Sequence, residues 1–144
     1  MKVESILRRK GAHVETVTSE TTVSTAVWSL RTKGIGALVV SDDGRSIQGV
    51  FSERDVVRAL AAHGGALLGM RVAQVMSPVA VTCTPEDTVQ RLMAEMTRRR
   101  VRHIPVVDEG GLRGIVSIGD VVKHRLDELE MEANVLRETL IVRH

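Results

Sequence analysis

The apolar positions change period in a fixed order along the chain. Val3, Ile6 and Leu7 fall on one face, which predicts a short helix over residues 3–10 ending at Gly11. Residues 13–17 alternate weakly and read as a short strand. From Thr22, apolar residues Val23, Ala26, Val27 and Leu30 follow helical spacing up to Gly34 and Gly36. The near-continuous run 35–40 predicts a buried strand. Asp42-Asp43-Gly44 predicts a hairpin turn, residues 47–51 the return strand, and Ser52 to about His63 a helix.

After His63-Gly64-Gly65 comes a Leu- and Met-rich linker over 66–76, closed by Ser77-Pro78, and then the order repeats. A strand is expected at 79–82 and a helix at 86–97 with Val89, Leu92, Met93 and Met96 inward. Residues 102–107 read as a strand, 108–111 as a turn, 112–116 as a strand, and a last helix starts near Ser117. Thr18 matches Thr84, Val23 matches Val89 and Leu38 matches Ile104 at a spacing of 66 (84−18, 89−23, 104−38). After the hairpin the spacing is 65 (114−49, 120−55), so one residue is lost in a turn, where such a loss is tolerated. The expected organisation is a first repeat at 12–65, a linker at 66–78, a second repeat at 79–125 and a helical extension at 126–144.

Each repeat ends in the same short motif: Gly49-Val50-Phe51-Ser52-Glu53-Arg54-Asp55 and Gly114-Ile115-Val116-Ser117-Ile118-Gly119-Asp120. A serine at a helix start with an aspartate three residues on is a capping arrangement. It also sets a carboxylate, with two acceptor oxygens, beside a helix N-terminus that attracts anions. Beyond the second motif, Val122, Leu126, Leu129, Ala133, Leu136 and Leu140 form a heptad seam. That seam suits packing on its own domain or contact with a second copy.

Composition narrows the field. With one Phe, one Trp and no Tyr, the core must be aliphatic, and base-stacking platforms for single-stranded nucleic acid are missing. The formal net charge of +2 is no nucleic-acid signature. The single cysteine, Cys83, excludes an internal disulfide and fits a reducing compartment; it reads as an inert strand-end residue. No apolar run approaches the roughly 20 residues of a membrane span, and the N-terminus lacks a signal-peptide pattern, so a cytoplasmic location is expected. His13, His63, His124 and His144 show no metal-ligand spacing and read as surface histidines. No Ser-His-Asp set, P-loop or dinucleotide fingerprint is present, so no catalytic residues are expected.

The two motifs, with Gly36-Ala37-Leu38-Val39-Val40 and Arg102-His103-Ile104-Pro105-Val106-Val107-Asp108 on the middle strands, resemble a tandem pair of cystathionine-β-synthase (CBS) domains, a Bateman module. The resemblance covers roughly residues 12–125 and looks like a stand-alone module. It implies an α+β fold of two β-α-β-β-α repeats packed about a pseudo-twofold axis, with a short N-terminal and an extended C-terminal helix. It also implies two inter-repeat clefts for adenosine-containing ligands: AMP, ADP, ATP, NAD(H) or S-adenosylmethionine.

By that resemblance, Asp55 and Asp120 accept from ribose hydroxyls, Ser52 and Ser117 sit near ribose or phosphate, and middle-strand backbone at Ala37, Leu38, Ile104 and Pro105 reads the adenine edge. Thr18 and Thr84 complete the implied contacts. Arg54, Arg102 and His103 are candidate phosphate contacts; for the last two a surface role is equally open. Arg98 and Arg99 read as helix-end charges. Because the first repeat has Gly36 and Ala37 where the second has Arg102 and His103, the clefts are expected to differ: one pairs Arg54 with a bare strand, the other pairs Asp120 with the basic strand. The expected function is a non-catalytic nucleotide sensor, a homodimer acting on an unidentified regulated protein, without nucleic acid or membrane partners; the alternative is a dimerisation module without nucleotide.

Overall fold

A computed structural model describes residues 1–11 and 13–143; His144 lies outside the described residues. The first repeat contains β1 (Thr16–Val17), α2 (Val23–Lys33), β2 (Ala37–Val40), β3 (Gly49–Ser52) and α3 (Glu53–His63), after the leading helix α1 (Val3–Lys10). A 3-10 segment (Gly64–Gly69) and the one-turn α4 (Val72–Val75) link it to α5 (Val89–Arg99), β4 (His103–Asp108), β5 (Gly111–Ser117) and α6 (Ile118–Arg143). β1 runs parallel to β2, which pairs antiparallel with β3; β4 pairs antiparallel with β5.

The repeat is visible in the caps as well as in the order. Thr22 caps α2 and Thr88 caps α5, each side-chain oxygen accepting from the backbone N–H three residues on. In the first hairpin, Asp43 accepts from the Arg45 and Ser46 N–H groups, both at 2.8 Å, and these bonds with the Ser46 hydroxyl hold its carboxyl well below the usual range.

Two expectations fail in the second repeat. Residues 79–82 form no strand: Ser77 bridges Val50 of the first repeat, Pro78 supplies no N–H, and the chain rejoins its own sheet only at a single bridge, Cys83 to Val106. That bridge sits where Val17 pairs with Val40 in the first repeat (83−17 and 106−40 both give 66). Met93 is exposed, because the inward stripe of α5 holds only Val89, Leu92 and Met96.

The core is two aliphatic clusters whose membership crosses the repeats. Val3, Ile6 and Leu7 of α1 complete the cluster of the second repeat, with Leu92, Ile104, Val106 and Val116. Leu67 and Val72, from the segment leading to the second repeat, complete the cluster of the first, with Phe51, Leu38 and Val23. Backbone bonds fasten both segments: Val3 N–H donates to Asp87 O at 2.8 Å, and Val72 N–H to Thr21 O at 2.8 Å. Each repeat is thus closed by the helix that precedes the other.

The motif glycines allow this crossing. A Cβ on Gly49 would lie 2.8 Å from the Met76 sulfur and from Ser77 O, and one on Gly114 would lie 2.7 Å from Leu7 Cδ2. At Gly49 the Ser77 backbone leaves no room for a side chain, whereas at Gly114 a Cβ would have to push aside the tip of Leu7.

His124 is buried, contrary to the surface expectation. It faces α1 from α6, with its Nε2 3.1 Å from the Glu128 carboxylate. The seam residues Val122, Leu126, Leu129, Leu136 and Leu140 are exposed, which removes the reading in which they pack on their own domain. No described helix is long and apolar enough to cross a membrane.

Candidate functional site

Two clefts open between the repeats, each built from the start of one repeat's motif helix and the chain leading into the other repeat. The first, of about 190 Å³, has Ser52 at the end of β3 and Arg54, Asp55 and Arg58 of α3 on one wall, and 77–81 with Arg100, Val101, Arg102, His103 and Pro105 on the other. The second, of about 260 Å³, has Ser117 at the end of β5 and Asp120 of α6 on one wall, and 13–15 with 34–37 on the other. The walls correspond by the repeat spacing: 79–81 match 13–15 and 100–103 match 34–37 at 66, and Ser52 and Asp55 match Ser117 and Asp120 at 65.

This crossing changes one expectation. Arg54 shares the first cleft with Arg102 and His103 as well as with Gly36 of its own repeat. Asp120 faces Gly36 and Ala37, with Lys10 and His13 as the nearby bases. The first cleft therefore gathers arginines from both repeats, alongside the Glu53 carboxylate. Arg58 is paired with Asp55, but among the described residues Arg54, Arg100 and Arg102 have no acidic partner within 4.0 Å.

The two motif aspartates differ in what they can still accept. Asp55 is 2% exposed. Its Oδ2 accepts from Ser52 N–H at 2.8 Å, and its Oδ1 accepts from Ser77 Oγ at 2.5 Å and Arg58 at 3.2 Å. Both oxygens are satisfied within the chain, so a ribose would have to displace Ser77 or Arg58. Asp120 is half-buried, and the bonds to its carboxylate converge on Oδ2: from Ser117 N–H at 2.9 Å and Lys10 Nζ at 2.8 Å. Burial pushes the Asp120 carboxyl up, but the Lys10 ammonium and the Ser117 N–H together outweigh it, so its pKa lies below the usual carboxylate value. Lys10 also donates to Ile115 O at 2.7 Å, which fixes the end of α1 at the mouth of this cleft.

His103 lines both clefts, its ring resting on the backbone of Gly36. Burial, and then the Lys10 charge, push it below the ordinary imidazole value, so it is neutral near pH 7. Of the other expected contacts, Ala37 lines the second cleft and Pro105 the first. Leu38 and Ile104 send their side chains into the two cores, so the contact expected of them is one that backbone alone would make. Thr18 bonds Thr21 and Thr84 lies in a separate shallow groove beside Glu86 and Asp108. Arg98 and Arg99 are both tied to Glu95 at 2.7 Å, outside the clefts.

One cleft residue was missed in the sequence. Arg100 ends α5 at φ 55°, ψ 39°, and its counterpart Gly34 ends α2 at φ 62°, ψ 39°. The following residues, Val101 and Ile35, return the same N–H bond to Met96 O and Leu30 O. A left-handed corner that glycine takes freely costs a side-chain-bearing residue about 1 kcal/mol. The repeat register itself, which sets Arg100 on Gly34, was the available signal.

The fold and its crossed clefts define a duplicated α+β module with a cleft on each side of the junction between its halves. The CBS domain family model matches residues 3–62 and 72–127. The chain belongs to the CBS domain family. It is 36% identical over 129 residues to the mitochondrial CBS domain-containing protein CBSX3 of Arabidopsis thaliana, covering 84% of this chain and 63% of that protein. The chain spans less than two thirds of the length of the curated relatives it matches first. The crystal structure of the CBS-domain protein ATU1752 from Agrobacterium tumefaciens superimposes with a TM-score of 0.83 at 42% identity, over 87% of this chain and 99% of that one. The fold alone is shared with the CBS domain pair of MJ0100, solved with 5′-methylthioadenosine and S-adenosyl-L-methionine: TM-score 0.78 at 21% identity, over 89% of this chain and 98% of that one.

Proposed function

We propose that the chain is a non-catalytic regulatory module that binds adenosine-containing nucleotides in its two clefts and reports their level to a regulated protein. The observation that carries this reading is the first cleft, where a helix N-terminus on one wall faces unpaired guanidinium groups on the other. The adenosine part of the reading draws on the family resemblance and on the ligands named for the MJ0100 pair. Ribose recognition in the second cleft is assigned to Asp120, whose Oδ1 is free of chain partners among the described residues, and phosphate recognition in the first cleft to Arg54 and Arg102.

A thermal-shift panel with AMP, ADP, ATP, NAD(H) and S-adenosylmethionine tests it. A ligand at 100 times its dissociation constant stabilises the folded state by roughly 2.7 kcal/mol. No shift with any of the panel, together with no nucleotide released from the purified protein on denaturation, overturns the reading.

A second copy of the chain is the proposed occupant of the exposed α6 seam. In a parallel in-register pair, Arg125 would face Glu130 and Glu132 would face Arg137 across the seam, so the flanking charges suit self-association.

A further inference from the structure

Arg100 breaks a local rule at the mouth of the first cleft. Its repeat counterpart, Gly34, meets the same left-handed corner without strain, yet the second repeat keeps an arginine there. Left-handed backbone at a residue with a side chain points to a gain elsewhere. The side chain lines the first cleft and has no acidic partner among the described residues, in contrast to Arg98 and Arg99 just before it. The gain is therefore not an ion pair within the chain.

We infer that Arg100 is a specificity residue that, with Arg54 and Arg102, makes the first cleft select a polyphosphate chain over a single phosphate. This inference rests on the nucleotide reading above. A guanidinium fork binds two oxygens at once, so three forks call for about six acceptors, and a lone phosphate presents about three. A di- or triphosphate supplies the rest. The second cleft, where Gly34 replaces the arginine and Gly36 replaces Arg102, has no such set and takes the less charged ligand.

The test is Arg100→Gly, measured by calorimetric titration with ATP, AMP and inorganic tripolyphosphate, and by melting without ligand. Glycine relieves the corner, so the unliganded melting temperature rises, by about 3 °C. ATP and tripolyphosphate affinities fall about tenfold, while AMP affinity changes by less than about threefold. Arg98→Gln, which removes a charge outside the cleft, leaves all three unchanged. Arg100→Asn, a neutral residue that tolerates the corner, repeats the loss and guards against a glycine-specific artefact.

If Arg100→Gly melts higher but binds ATP as well as the wild type, the residue is only a helix end and the inference is overturned while the nucleotide reading stands. If the wild type binds tripolyphosphate but no adenosine ligand, and Arg100→Gly loses it, the nucleotide reading falls and the polyanion clamp remains. Equal losses for AMP and ATP overturn the selectivity.

Discussion

Lys10 Nζ donates to Asp120 Oδ2 at 2.8 Å, joining the end of the first helix to the first turn of the last. The same carboxylate caps α6 through Ser117 N–H. The pair thus closes the second cleft and clasps α1 to the second repeat.

Because the Asp120 pKa is depressed on folding, its contribution is present above the unfolded carboxylate value and is lost as pH falls through the folded one. Asp120→Asn is expected to melt lower than the wild type at pH 7. The gap should begin to narrow as pH drops below about 4, where the unfolded carboxyl takes up a proton, and close once pH has fallen through the depressed folded value. Thermal melts of both proteins from pH 7 to pH 3 check this; a gap constant with pH would show that the charge is not what matters.

Asp55 is a buried cap. Asp55→Ala leaves Ser52 N–H and Ser77 Oγ without their acceptor and is expected to cost about 1–3 kcal/mol of stability by urea unfolding. Ser77→Ala should cost less, since Arg58 still pairs with Asp55.

The crossed clefts predict which residues act together. Arg54→Ala and Arg102→Ala come from different repeats but should show a coupling of about 0.5–3 kcal/mol in ATP binding. Asp120→Ala should weaken nucleotide binding in the second cleft more than Glu109→Ala, which lies in a separate groove. Additive effects of the arginine pair, in a full double-mutant titration, would contradict the shared cleft.

Cys83 is 2% exposed and burial pushes its thiol up to about 12. Such a thiol is protonated and shielded at pH 8. A disulfide-exchange reagent should label it only after denaturation, and fast labelling of the native protein would place the thiol at the surface.

Deleting residues 126–144, or placing glutamates at Leu129 and Leu136, should abolish self-association in sedimentation velocity. Both leucines are exposed, so neither substitution should lower the unfolding midpoint of the monomer. A dimer that survives both would move the interface to another face.

Periodicity in the sequence locates nearly every helix and strand, because aliphatic spacing reports directly which face is buried. It does not report what covers that face. Val3, Ile6 and Leu7 read correctly as an inward stripe, but nothing in their spacing says that the second repeat lies beneath them. The pairing of Arg54 with Arg102 was illegible for the same reason, since it follows from which segment crosses which repeat. The expected strand at 79–82 failed because the chain is still held to Val50 of the first repeat at Ser77 and meets its own sheet only at Cys83. His124 carried no periodic signal that separates a buried histidine from an exposed one.

The crossed closure has a consequence for how the two halves can change. Each cleft takes one wall from each copy, so neither copy owns a complete site. A substitution in one half is felt by the residue opposite it in the other half, and the two must drift together to keep a cleft working. A ligand seated there acts as a rivet between halves that the chain itself joins by a short linker, two swapped helices and hydrogen bonds between the hairpins, Leu112 N–H to Arg45 O among them. The doubled sequence is in this sense a single device, and cutting it at the linker would leave two pieces that regain a site only when brought back together.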